Sequence, residues 1–129
     1  MRFISILLIV LALAAGCQPP ATPTPERSAQ AAQTIDLVVD PSPPAVGDAS
    51  LIVTVTRDSA PLADAPVSVR GDMNHAGMRP VLGDATTAAD GTATIPFNWT
   101  MGGDWVVTVT VTLPDGSEVS QQFDQSVQT

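Results

Sequence analysis

The side chains of this chain best suited to chemistry lie in one short cluster, Asp72-Met73-Asn74-His75-Ala76-Gly77-Met78. It holds the single histidine and two of the three methionines that follow Met1. The third, Met101, stands in Thr100-Met101-Gly102-Gly103-Asp104-Trp105. Thioether and imidazole groups are soft, polarisable donors that suit copper, above all Cu(I). Met73, His75, Met78 and Met101 are therefore candidate metal ligands. If a strand through Val67 and Val69 continues, Met73 and His75 lie two apart and point to the same side. Gly77 turns the chain and brings Met78 back, and Met101 precedes a strand through Trp105 with inward parity. Three thioethers and one imidazole suit Cu(I); Asp72 or water beside His75 makes Cu(II) reasonable. Zinc fits poorly, since thiolates are absent and a single histidine is offered. The competing reading is packing. Met73 keeps the parity of Val67 and Val69, methionine fills irregular core gaps, Met101 packs its sulfur on Trp105, and His75 bonds a neighbouring loop.

Other chemistries find little support. His75 has no serine motif around it from which to build a nucleophilic triad. The aspartates fall mostly at turns, where they bond backbone. No phosphate-cradling glycine loop precedes a helix. The formal net charge is −8, with no lysine among the five basic residues. Such a chain is repelled by nucleic acid, which is excluded as a partner. Acidity also favours solubility and mildly attracts cations.

Strands must position the cluster. Apolar residues alternate with polar ones at Ile35, Leu37 and Val39, then at Leu51, Val53 and Val55, and at Val67 and Val69. The alternation resumes at Ala93, Ile95, Phe97 and Trp99, and at Trp105, Val107, Val109 and Val111. Val119 and Phe123 mark a last, more polar strand. A period of two means one buried face per strand, and valine and threonine fit that pleated surface. Turn residues fall between, at Pro41 to Gly47, Asp58 to Ala63, Gly83-Asp84, Asp90-Gly91, Gly102-Gly103 and Pro114-Asp115-Gly116. Asp115-Gly116 makes the last of these the most secure hairpin. About seven short strands at this spacing predict an antiparallel β-sandwich. Pro96 predicts an edge or a bulge, and Trp99, Trp105, Phe97 and Phe123 should anchor the core.

The N-terminal residues read as targeting rather than fold. Met1-Arg2 is followed by an apolar run from Phe3 to Ala15, too short to prefer spanning a bilayer as a mature helix. Leu13-Ala14-Ala15-Gly16-Cys17 resembles a bacterial lipobox, although Ala14 stands where leucine is commoner. Cleavage before Cys17, the sole cysteine, with lipid on its thiol, leaves a protein anchored to the cell membrane on its extracytoplasmic side. A lone free thiol is otherwise a liability in an oxidising compartment. Residues 1–16 are thus expected to be a signal peptide. Residues 17–33, rich in Pro, Ala and Thr, form an extended tether, and residues 34–129 form one folded domain.

Several stretches of that domain resemble the YtkA-like family, which includes FixH-like extracytoplasmic domains. Pro44-Ala45-Val46-Gly47-Asp48 with Leu51 to Val55 is similar to its opening turn and strand, and Pro61 to Val69 to its following hairpin. Met73-Asn74-His75-Ala76-Gly77-Met78 with Pro80 is similar to its Met/His segment, although the order of ligands departs from the family's. Asp90 to Phe97 and then Met101-Gly102-Gly103-Asp104-Trp105 is similar to its closing segment. The resemblance implies an immunoglobulin-like sandwich and an envelope protein associated with copper handling or haem-copper oxidase assembly, with no catalytic activity. A copper-accepting or copper-donating envelope protein is then the expected partner. The rival expectation is a non-metal interaction or scaffolding module that works through a sheet edge or loops.

Overall fold

The computed structural model describes residues 32–129. The expected signal peptide, Cys17 and all but the last two residues of the expected tether lie outside them. Eight strands form, six from the alternating segments and two more, β3 and β5, outside them: β1 (Gln33–Asp40), β2 (Gly47–Arg57), β3 (Ala60–Pro61), β4 (Pro66–Met73), β5 (Val81–Thr86), β6 (Thr92–Trp99), β7 (Gly103–Thr112) and β8 (Glu118–Val127). Strand β1 starts one residue before the expected domain boundary at Thr34.

The strands form two antiparallel sheets. In the first, β2 is central, with β1 along one edge and β6 and the short β3 sharing the other. In the second the order is β5-β4-β7-β8. Each strand turns its apolar set inward, as a period of two requires. Leu51, Val53, Val55 and Ile95 from one sheet, and Val67, Val69, Val107, Val109 and Val111 from the other, are almost wholly buried. Three aromatic rings fill one end of this layer. Phe97 meets Trp99 edge-on at 4.8 Å between centroids, and Trp99 meets Trp105 in the same way at 5.4 Å. Phe123 packs at the margin, only partly buried.

The turns follow their residue chemistry. Asp58 and Ser59 both take positive φ between β2 and β3, the geometry of a tight hairpin. In the β7–β8 hairpin Gly116 has φ +83°, and the Asp115 carboxylate accepts from the Ser117 amide and hydroxyl. These two bonds hold the Asp115 carboxyl below its ordinary pKa. The buried Thr87 hydroxyl donates to the Leu62 carbonyl at 2.6 Å and accepts from the Ala65 amide at 2.9 Å. It ties the β3–β4 and β5–β6 connections together.

Two elements depart from the sequence expectation. The short β3 falls inside the turn expected over Asp58 to Ala63 and pairs with the end of β2. Gly83-Asp84 is not a turn but the middle of β5, where Gly83 pairs with Val69 and Asp84 with Ser68. The reason is steric. A Cβ on Gly83 would lie 2.6 Å from the Ile95 side chain, so glycine lets β5 close down on β6 of the opposite sheet. Pro96 falls on β6, an edge strand, as proline demands. Gly71 shows the same economy of space, since a Cβ there would lie 2.5 Å from Phe97 Cζ. Gly71→Ala should therefore cost about 1–3 kcal/mol by overpacking, read as a lower urea midpoint with an unchanged slope.

Candidate functional site

The second sheet carries the site residues to one end of the sandwich. Strand β4 ends at Met73 and pairs with β7 through Met73 opposite Trp105. Beyond it, the Asn74 amide donates to the Asp104 carbonyl at 3.0 Å. The loop of residues 74–80 and the β6–β7 turn of residues 100–102 therefore stand side by side. The β1–β2 connection joins them, because the Val46 amide donates to the Gln128 carbonyl and the Gln128 amide to the Pro44 carbonyl. Met73, His75, Met78 and Met101 all lie on this rim.

Their settings differ. Met73 is half-buried against the core. Its methyl lies 2.9 Å from where a Cβ on Gly103 would stand, so Gly103, at φ +130°, keeps the space that Met73 fills. His75 is exposed, as are Met78 at 38% and Met101 at 47%. The strand does not continue to His75. The His75 amide donates back to the Met73 carbonyl at 2.7 Å, a three-residue turn, so strand parity does not relate Met73 to His75. Gly77 turns the loop with φ +87°. Met101 does not follow the inward parity of Trp105 either: it is exposed and lies with Gly102 in the bend that precedes β7. The backbone links the two instead: the Trp105 indole N–H donates to the Met101 carbonyl at 3.0 Å. By contrast, the buried Trp99 indole N–H has no acceptor among the described residues.

Carboxylates surround the rim without joining the soft donors. Among the described residues, no three His, Cys, Asp or Glu side chains gather closely enough to hold a metal ion. Asp72 is engaged by Arg70, whose Nε and Nη2 reach its two oxygens at 2.7 and 2.9 Å. The hydrogen bond from Arg70 holds the Asp72 carboxyl below its ordinary pKa. Asp104 accepts from the Ser126 hydroxyl at 2.8 Å. With Asn74 and Asp124 it lines an open pocket of about 280 Å³ on the outer face of β7 and β8.

Sequence reasoning missed three contributors. Gly102 packs where a Cβ would strike Thr129 and crowd the Val127 carbonyl, Asn74 fastens the loop, and Val46 reaches the rim from the β1–β2 connection. The Gly102-Gly103 pair was a local clue to a turn. The partners of Asn74 and Val46 are 30 and more residues away and left no local pattern.

This architecture, two antiparallel sheets with loops gathered at each end, is an immunoglobulin-like β-sandwich. The family model described as YtkA-like matches residues 27–110, and the chain belongs to that family. Among solved structures, the soluble domain of PmoD from Methylocystis sp. strain Rockwell has the same fold. It is 20% identical, with 72% of this chain and 90% of that one covered and a TM-score of 0.50. Murine CRIg is also similar, at 18% identity over 75% of this chain and 97% of that one, with a TM-score of 0.40. No curated protein matches the chain.

Two outcomes test this geometry. Trp99→Phe and Trp105→Phe both remove ring volume, but only the second loses a hydrogen bond. Trp105→Phe should cost about 1 kcal/mol more in urea unfolding. Arg70→Gln should raise the Asp72 titration to the ordinary aspartate range in a carboxyl NMR titration. The lowered Asp72 pKa implies a small stabilisation, complete above the ordinary aspartate range and lost as pH falls through the lowered value; the variant should lack it.

Proposed function

We propose that the protein binds copper, with Cu(I) favoured, through Met73, His75, Met78 and Met101, and passes it to another envelope protein during copper delivery or oxidase assembly. The observation that carries this reading is the gathering of these soft donors on one rim, where β4 and β7 fix Met73 beside the Met101 turn. The donor set fits the ion. Thioethers and a neutral imidazole satisfy Cu(I) without adding charge. The Arg70 ion pair also occupies Asp72, the carboxylate next to Met73 in the chain, which would otherwise favour harder cations. Copper here is cargo. A half-buried Met73 offers a fixed donor, and the exposed His75, Met78 and Met101 offer donors that a second carrier can replace one by one.

In this reading Cys17 carries the lipid anchor, residues 17–33 tether the domain, and the rim works on the extracytoplasmic side of the cell membrane. The role in this reading is binding rather than catalysis. Membership of the YtkA-like family supports the envelope setting.

A Cu(I) competition titration on residues 32–129 against a chromophoric chelator tests the proposal. One site is expected per chain. Met73→Ala with His75→Ala should weaken it by more than the roughly tenfold that losing an outer-shell partner already costs, with the circular dichroism spectrum unchanged. Absence of uptake by the folded wild-type domain would overturn it and leave the scaffolding role.

A further inference from the structure

We infer that the same rim is a docking surface for a protein partner whose contacting face is apolar at its centre and carries Arg or Lys around it. Five large hydrophobic side chains stand exposed among the described residues, and three of them, Val46, Met78 and Met101, belong to this one end. They come from three separate connections drawn together by the backbone bonds of Val46 and Asn74. Exposed apolar side chains gathered in this way mark interaction sites, whereas scattered ones need no explanation. Methionine adds a surface that repacks to its partner.

Charge selects the occupant. Asp40 closes β1 and Asp48 opens β2, where it accepts from Asn98 at 2.8 Å. Asp104 opens β7, and Asp124 shares its pocket. Asp72 is paired with Arg70, and Arg79 is the one other cation on the rim. Exposed apolar side chains that share one end with carboxylates have the composition of a protein interface, and their complement is basic. A second copy of this chain would bring like charge to like, and so would an anionic membrane. The opposite end is a natural control. It carries Asp58, Asp90 and Asp115 on its turns but none of the exposed large hydrophobics. Acidity without an apolar centre is ordinary surface.

The inference shares the rim with the copper proposal but does not depend on the ion, and its test is run free of metal. The full chain, labelled with nitrogen-15 in a neutral detergent and a copper chelator, is titrated with acetyl-Arg-Leu-Arg-amide and separately with acetyl-Glu-Leu-Glu-amide. The arginine peptide should give saturable shifts at the Val46, Asn74, Met101 and Asp104 amides, and the glutamate peptide none. Asp104→Asn with Asp124→Asn should weaken binding roughly fivefold at low salt, with the difference shrinking as salt screens it. Val46→Ser with Met101→Ser should weaken it comparably, and Val38→Ser, on the outer face of β1, should not. Equal shifts with both peptides, or shifts centred on Asp58, Asp90 and Asp115, would overturn the inference. So would concentration-dependent broadening of the rim signals without peptide, which would assign the surface to self-association.

Discussion

The pairing of β4 with β7, carried to its last register position at Met73 and Trp105, is the constraint on which the rim depends. Trp105 belongs to the core on one side, stacked edge-on against Trp99. On the other side its indole N–H holds the Met101 carbonyl. A single residue thus transmits the order of the packed interior to an exposed turn. Aromatic pairs of this geometry add about 0.5–1.5 kcal/mol beyond their buried area, which makes the rim end of the sandwich a stiff base for mobile side chains.

Glycine determines where those side chains can go. Gly71 admits the Phe97 ring between the sheets, and Gly103, the first residue of β7, makes room for the Met73 methyl. In both places the missing Cβ is filled by a larger side chain from elsewhere, so the packing is tight where the sequence looks sparse. The result is one methionine held partly inside and two held outside. For the proposed copper site this division matters, because a donor packed partly against the core fixes the position of an ion and donors in loops set how readily it leaves.

The acidic balance and the proposed carrier role are compatible because two carboxylates beside the rim are already engaged. Arg70 grips Asp72 through two nitrogens, and Ser126 donates to Asp104 at the outer face of the second sheet. The surrounding negative charge is left to act at longer range, on a partner.

Much of this was legible in the chain itself. The alternation at Leu51, Val53 and Val55, or at Val107, Val109 and Val111, determines which face of each strand is buried, because a pleated backbone reverses side chains at every step. The Asp115-Gly116 turn and the burial of both tryptophans follow from the same local rules. What the sequence could not decide was every placement that depends on a distant neighbour. Gly83 reads as a turn until Ile95 of the other sheet is seen above it. Met73 and His75 read as one strand face until the backbone turns between them, and Met101 reads as inward until the bend at Met101-Gly102 is seen to precede β7. Local pattern determined the sheets and their inner faces. Only the tertiary structure decided how the loops meet, because contacts between residues 30 or more positions apart leave no periodic trace in the chain that makes them.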